Sequence, residues 1–197
     1  MDDLEKPILD AALEVQNFCE SQQWRFAFIG ALAVIRWGRP RTTKDIDGTL
    51  LTQFRDEGKY IDSALAHFKS RVDGADAKEF MWNRRVLLLT ASNGVGVDLS
   101  LGGLWYEEKI IDHSSTFEFA PGYDLRTCSA EDLIITKSFA ARDKDWADVR
   151  TILQRQHGKL DLNYVLENLR PLCELKEEPE IVNKLRQMVE QEDRRVI

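Results

Sequence analysis

Between residues 85 and 101 the sequence leaves the backbone little choice. Arg85 to Ala91 is apolar and strand-like, Asn93-Gly94 follows, and Val95 to Leu101 alternates strictly. Val95, Val97, Leu99 and Leu101 share one face of an extended chain, while Gly96, Asp98 and Ser100 share the other, because successive strand side chains point opposite ways. Asn-Gly between two such runs is a favoured two-residue hairpin turn. The segment predicts an antiparallel hairpin, and with it a sheet that must bury one face.

The rest of the chain supplies the layers around that sheet. Leu4 to Ser21 sets Leu4, Ile8, Ala11, Ala12, Val15 and Phe18 at helical spacing, with Pro7 in the first turn or so, where proline is tolerated. Arg25 to Ile29 reads as a buried strand ending at Gly30. A short helix over 31–37 breaks at Gly38 and Pro40. Asp45 to Thr52 reads as a second strand, and Phe54 to Arg71 as a helix with Tyr60, Ile61, Ala64, Leu65 and Phe68 as its stripe. A short helix is expected over 105–113, then two short strands flanking Pro121-Gly122. From Ser129 the composition turns helical. Ser129 caps a helix with Glu131 and Asp132 in its first turn, and further helices read at 144–156, 161–175 and 179–193. The expectation is a mixed α/β core over 1–128 and a C-terminal helical region over 129–197 that closes a cleft.

Composition excludes several function classes. Of 197 residues, 43% are hydrophobic and 31% charged, which excludes disordered and collagen-like chains. The longest mostly apolar run, 26–35, is half of the about 20 residues that a membrane span needs. The acidic start, Met-Asp-Asp-Leu-Glu-Lys, lacks the basic and then apolar pattern of a secretory signal. Cys19, Cys128 and Cys173 are too dispersed for a disulfide framework or a zinc cluster, so a reducing cytoplasm is expected. A net charge of −7 argues against an indiscriminate nucleic-acid coat, although Arg36, Arg39, Arg41 and Lys44 form a local basic run. Trp24, Trp37, Trp82, Trp105 and Trp146 read as core or partly buried anchors, and the terminal "EQEDRRVI" as a solvated helix end.

Asp45-Ile46-Asp47 carries the first chemical content. On a strand both carboxylates project from one face. Two like charges so close are costly unless a cation or proton lies between them, and magnesium, a hard ion wanting oxygen ligands, suits the pair. A polar loop edge would also carry those two acids. The context is more specific: Ile29-Gly30-Ala31 closes one strand and opens a helix, a way to present backbone N–H groups to phosphate. Asp98 then lies on a later strand, away from the apolar face.

In this order of motifs the chain resembles the DNA polymerase β-like nucleotidyltransferase superfamily. More narrowly, "FIGALAVIRWGRPRTTKDID", "VGVDLS" and "EDLIITKSFAARDKDWADV" are similar to the abortive-infection toxins of the AbiEii type. The resemblance implies a mixed-sheet nucleotidyltransferase fold and transfer of a nucleoside monophosphate from an NTP to an acceptor hydroxyl on RNA, protein or a small molecule. It also implies an antitoxin partner. It gives two magnesium ions to Asp45, Asp47 and Asp98, with Asp98 helping to deprotonate the attacking hydroxyl. Gly30 and the N–H groups from Ala31 onward would cradle the triphosphate, Arg41, Thr42, Thr43 and Lys44 would line the phosphate site, and Lys137 would contact the nucleotide phosphates. Asp145 and Asp148 match the closing acidic motif, or are helix-surface acids pairing with Arg142 or Arg150. Two departures stand out: Ala31 replaces the usual Gly or Ser, and Gly48 replaces a hydrophobic residue, which should loosen that strand.

Two rival readings compete. "DIDGTL" is also the first motif of haloacid dehalogenase-like phosphatases, in which Asp45 would be the nucleophile and Asp47 a general acid/base. That role requires Asp45 to end a buried apolar strand, whereas a proline and several charges precede it. The other rival is a non-catalytic binding module of the same fold.

Overall fold

The computed structural model describes residues 6–52, 54, 56–74 and 76–196. In chain order it contains α1 (Lys6–Ser21), β1 (Phe26–Phe28), α2 (Gly30–Trp37), β2 (Asp45–Leu51), α3 (Glu57–His67), β3 (Lys69–Ser70), α4 (Ala77–Arg84), β4 (Val86–Thr90) and β5 (Gly96–Gly102). There follow α5 (Trp105–Asp112), β6 (Ser115–Glu118), β7 (Asp124–Thr127), α6 (Ala130–Ala140), α7 (Asp143–Arg155), α8 (Leu162–Leu175) and α9 (Glu180–Val196). The strands form one mixed sheet in the order β3-β4-β5-β2-β1-β7-β6. The chain divides into two units: a sheet unit that runs to Leu32 and resumes over Arg41–Cys128, and a helical unit made of Ala33–Pro40 and the chain from Ser129. Among the described residues no helix is long and apolar enough to cross a membrane.

In the sheet unit, β2 pairs in parallel with β5 and antiparallel with β1. Ile46 and Leu50 on β2, Leu87 and Leu89 on β4, and Val97, Leu99 and Leu101 on β5 form the buried side. Helix α1 lies against β7 and β2. Its buried Gln16 works as a short piece of strand edge: the side-chain amide donates to Asp124 O (2.9 Å) and accepts from the Arg126 N–H (2.9 Å). These bonds occupy backbone groups on β7 that would otherwise lack a partner on that edge.

The hairpin closes one residue differently from the expected two-residue turn. Ala91 N–H donates to Val95 O, and Gly94 N–H donates to Ala91 O, both at 2.9 Å. The loop is therefore Ser92-Asn93-Gly94, with Gly94 at φ +89° and the Asn93 side chain accepting from Val95 N–H. This is the three-residue alternative, in which glycine supplies the left-handed residue after a turn.

Other expectations also need correction. The helix expected over 54–71 occupies only 57–67; Phe68 turns into the core, and Lys69 and Ser70 pair with Thr90 and Leu89 at the sheet edge. The strand hydrogen bonds of β4 take precedence there over helical spacing. Gly48 does not loosen β2. It pairs with Phe28 on one side and Leu99 on the other, and a Cβ at position 48 would stand 2.7 Å from Leu99 Cδ2. Trp146 is buried, but Trp82 and Trp105 are exposed (42% and 45%).

In the helical unit α6 packs on α7 and α8, and α9 on α6, α7 and α8. The segment ahead of β2 is tied to α7: Arg155 donates to Ile35 O and Gly38 O, and Gln156 donates to Trp37 O. The last helix is not simply solvated. Glu192 is buried, accepting from Gln154 Nε2 at 2.9 Å with Arg150 at 4.0 Å. Burial of one acid among polar groups is invisible to a hydrophobic stripe.

Gly48→Ala tests the tight β2–β5 seam. The new methyl must displace Leu99, so overpacking should cost about 1–3 kcal/mol, read as a lower urea midpoint at unchanged m-value. An unchanged midpoint would mean that the seam has slack.

Candidate active site

The register of β2 on β5 places the acids. Asp47 is opposite Asp98, Asp45 is opposite Gly96, and Ile46 is opposite Val97. Paired residues on adjacent parallel strands carry their side chains on the same face, with the strands about 4.8 Å apart. Ile46 and Val97 enter the core, so Asp45, Asp47 and Asp98 emerge together on the other face. Asp45 is exposed at the start of β2, and Asp47 and Asp98 are half-buried.

Gly30 fits against this cluster. Its φ is +60°, and a Cβ there would come within 2.7 Å of the Cβ and Cγ of Asp47, and nearer still to a carboxylate oxygen. Ile29 N–H also donates to Asp47 O at 2.9 Å. The first turn of α2, Gly30-Ala31-Leu32, thus begins beside Asp47, where N–H groups without helical partners are available. Ala31 is buried and offers no hydroxyl. Thr43 is engaged with the backbone: its hydroxyl donates to Asp45 O at 2.9 Å. Arg41, Thr42 and Lys44 are exposed just ahead of Asp45.

Lys137, Asp145 and Asp148 form a second cluster, in the helical unit. Lys137 Nζ lies 2.9 Å from Asp145 Oδ1 and 2.9 Å from Asp148 Oδ2, and all three residues are buried. Arg142 Nε donates to Asp145 Oδ2 at 2.5 Å. These are interior charges, so Asp145 and Asp148 are not surface acids, although the expected pairing of Asp145 with Arg142 is present. Burial alone would raise the Asp145 pKa, but hydrogen bonds from Arg142 and Lys137 outweigh it and hold the carboxyl below its ordinary 3.8.

Sequence reasoning missed Arg71, which read as a helix end. It lies after β3, its N–H donates to Leu88 O at 2.9 Å, and its guanidinium pairs with the Asp98 carboxylate. No local pattern marks it, because the contact crosses a whole strand. Helix α4 was missed too: apart from Met81 it buries almost nothing, so no apolar stripe exists to be read.

The donor set suits a hard divalent cation: three carboxylates on one face, two on one strand and the third in register on the next. Among the described residues no three Asp, Glu, His or Cys side chains stand close enough together to hold a metal ion as they are, and Asp98 is turned onto Arg71.

A family model described as nucleotidyl transferase AbiEii toxin, type IV TA system, matches residues 16–195. The chain belongs to this AbiEii nucleotidyltransferase family. No curated protein sequence matches it. Among solved structures, an antigenic nucleotidyltransferase-like protein from Paracoccidioides brasiliensis is similar at 16% identity and TM-score 0.51, over 93% of this chain and 94% of that one. The lincosamide antibiotic adenylyltransferase LnuA, bound to lincomycin, is similar at 13% identity and TM-score 0.51, over 77% of this chain and 98% of that one. Both likenesses are of fold, the polymerase β-like nucleotidyltransferase fold with its mixed sheet.

Within the AbiEii frame, "DIDGTL" loses its phosphatase reading on geometry as well. Asp45 begins β2 instead of ending it, whereas ligand-facing residues of that other architecture follow the carboxyl ends of strands.

The Lys137 cluster makes two predictions for stability. Lys137→Ala leaves Asp145 and Asp148 buried without their shared cation and should cost about 3–5 kcal/mol in chemical denaturation. Because the Asp145 pKa is lowered by folding, its contribution is complete above 3.8 and is lost as pH falls below that value. Asp145→Asn should therefore flatten the fall in stability at the acid end; an unchanged acid slope would contradict the pairing.

Proposed function

We propose that this chain is a magnesium-dependent nucleotidyltransferase that moves a nucleoside monophosphate from an NTP to an acceptor hydroxyl, with Asp45, Asp47 and Asp98 as its reacting centre. The observation that carries the reading is the register Asp47–Asp98, with Asp45 on the same face and Gly30 against Asp47. Magnesium bound there would activate the acceptor oxygen and neutralise charge on the leaving pyrophosphate. Asp45 and Asp47 would hold the cation from one strand. Asp98 completes the set and takes the proton of the attacking hydroxyl. The first-turn N–H groups of α2 receive phosphate oxygens, as helix N-termini do, and Gly30 lets that backbone approach because no side chain intervenes. With alanine at 31, phosphate contact there is by backbone alone.

Lys137 is assigned to nucleotide phosphates by resemblance. Its amine is already shared by Asp145 and Asp148, so that role requires one of the two pairs to yield. Among acceptors, the exposed cations Arg41 and Lys44 beside Asp45 favour a polyanion, so we propose RNA first, ahead of a protein or small-molecule hydroxyl. The family description supports a role as the toxin of a type IV toxin–antitoxin pair, with an antitoxin partner, and the three dispersed cysteines fit a reducing cytoplasm as its place of action.

The test is transfer of label from α-phosphate-labelled NTPs, with magnesium, to cellular RNA or protein. The wild type should label an acceptor and release pyrophosphate; Asp45→Asn and Asp98→Asn should abolish labelling while remaining folded. Labelling of RNA should weaken steeply with salt and on neutralising Arg41 and Lys44. A folded wild type that labels nothing, with or without added RNA, protein or aminoglycoside, would overturn the reading.

A further inference from the structure

The strand register lines up more than the three acids. Arg71, just after β3, bonds Leu88, Leu88 pairs with Asp98, and Asp98 pairs with Asp47, so these four residues form one row across the end of β3, β4, β5 and β2. The Arg71 side chain crosses the width of β4 to reach Asp98. Its Nη1 lies 3.0 Å from the point where a Cβ of Gly96 would stand, and Asp45 Oδ1 lies 3.2 Å from the same point. The guanidinium therefore lies over Gly96, between the carboxylates of Asp98 and Asp45. A side chain at position 96 would crowd both groups by a few tenths of an ångström, and glycine leaves them room.

That space is where a divalent cation shared by these acids would have to act. A guanidinium on Asp98 competes with a metal ion for the oxygens of that carboxylate, and an arginine keeps its charge at any relevant pH. We propose that Arg71 is the internal counter-ion of the reacting centre: a positioning residue that holds Asp98 over Gly96 in the metal-free protein and must give up that carboxylate when a divalent cation binds. The inference rests on the carboxylate site proposed above, and it adds a residue that sets how tightly the site takes its metal. Arg71 suits the task because its side chain is one-third exposed and can swing to solvent, unlike the buried Lys137.

The experiment is Mn2+ binding without nucleotide, followed by the loss of free-ion electron paramagnetic resonance signal, for the wild type and for Arg71→Gln, Arg71→Lys and Asp47→Asn. Thermal melting checks that each variant is folded. Removing the competing charge should tighten Mn2+ binding on the order of tenfold in Arg71→Gln, whereas Arg71→Lys, which keeps a cation, should stay near the wild type. Asp47→Asn should lose the site. If Asp47→Asn loses binding while Arg71→Gln and the wild type bind Mn2+ alike, the counter-ion inference is overturned and the carboxylate site stands. If neither the wild type nor Arg71→Gln binds Mn2+, or Asp47→Asn binds it unchanged, the carboxylate reading itself falls.

Discussion

The parallel, in-register pairing of β2 with β5 is the constraint on which the sheet unit depends. It unites Ile46 with Val97 and Leu50 with Leu101 on the buried side, and Asp47 with Asp98 on the other. A slip of one residue would exchange the faces, sending carboxylates into the core and leucines to water. The apolar contacts that stabilise the sheet therefore also fix the spacing of the acids. Gly48 tightens this coupling, since its missing side chain is the space that Leu99 fills.

Grouping acids creates an electrostatic problem, and each unit answers it with basic side chains. In the helical unit, Lys137 is enclosed between Asp145 and Asp148 with Arg142 alongside, an arrangement of several charge-assisted bonds. Such a cluster fixes helices against one another and is costly to open. In the sheet unit the counter-charge is Arg71, at the end of a long and partly exposed side chain. The first arrangement is buried, and the second is partly exposed.

Much of this was legible in the sequence because it rests on local periodicity. The alternation of 95–101, the caps around Ser129 and the Asp-x-Asp spacing are short-range signals, and the motif order pointed to the nucleotidyltransferase fold. What was not legible depends on contacts between distant segments. Arg71 finds Asp98 across β4, Glu192 is buried by Gln154 and Arg150 from another helix, and the end of the helix expected over 54–71 becomes an edge strand through pairing with β4. Asn93-Gly94 marked the turn correctly, but the loop length followed from where the strand hydrogen bonds stop.

The most direct test of the account is crystallographic. Crystals grown with Mn2+ and a non-hydrolysable NTP analogue should give anomalous scattering peaks at the carboxylates of Asp45, Asp47 and Asp98, with the triphosphate against the first turn of α2 and Arg71 withdrawn from Asp98. Nucleotide bound elsewhere, or Mn2+ absent from these three carboxylates while the Arg71–Asp98 pair persists, would contradict it.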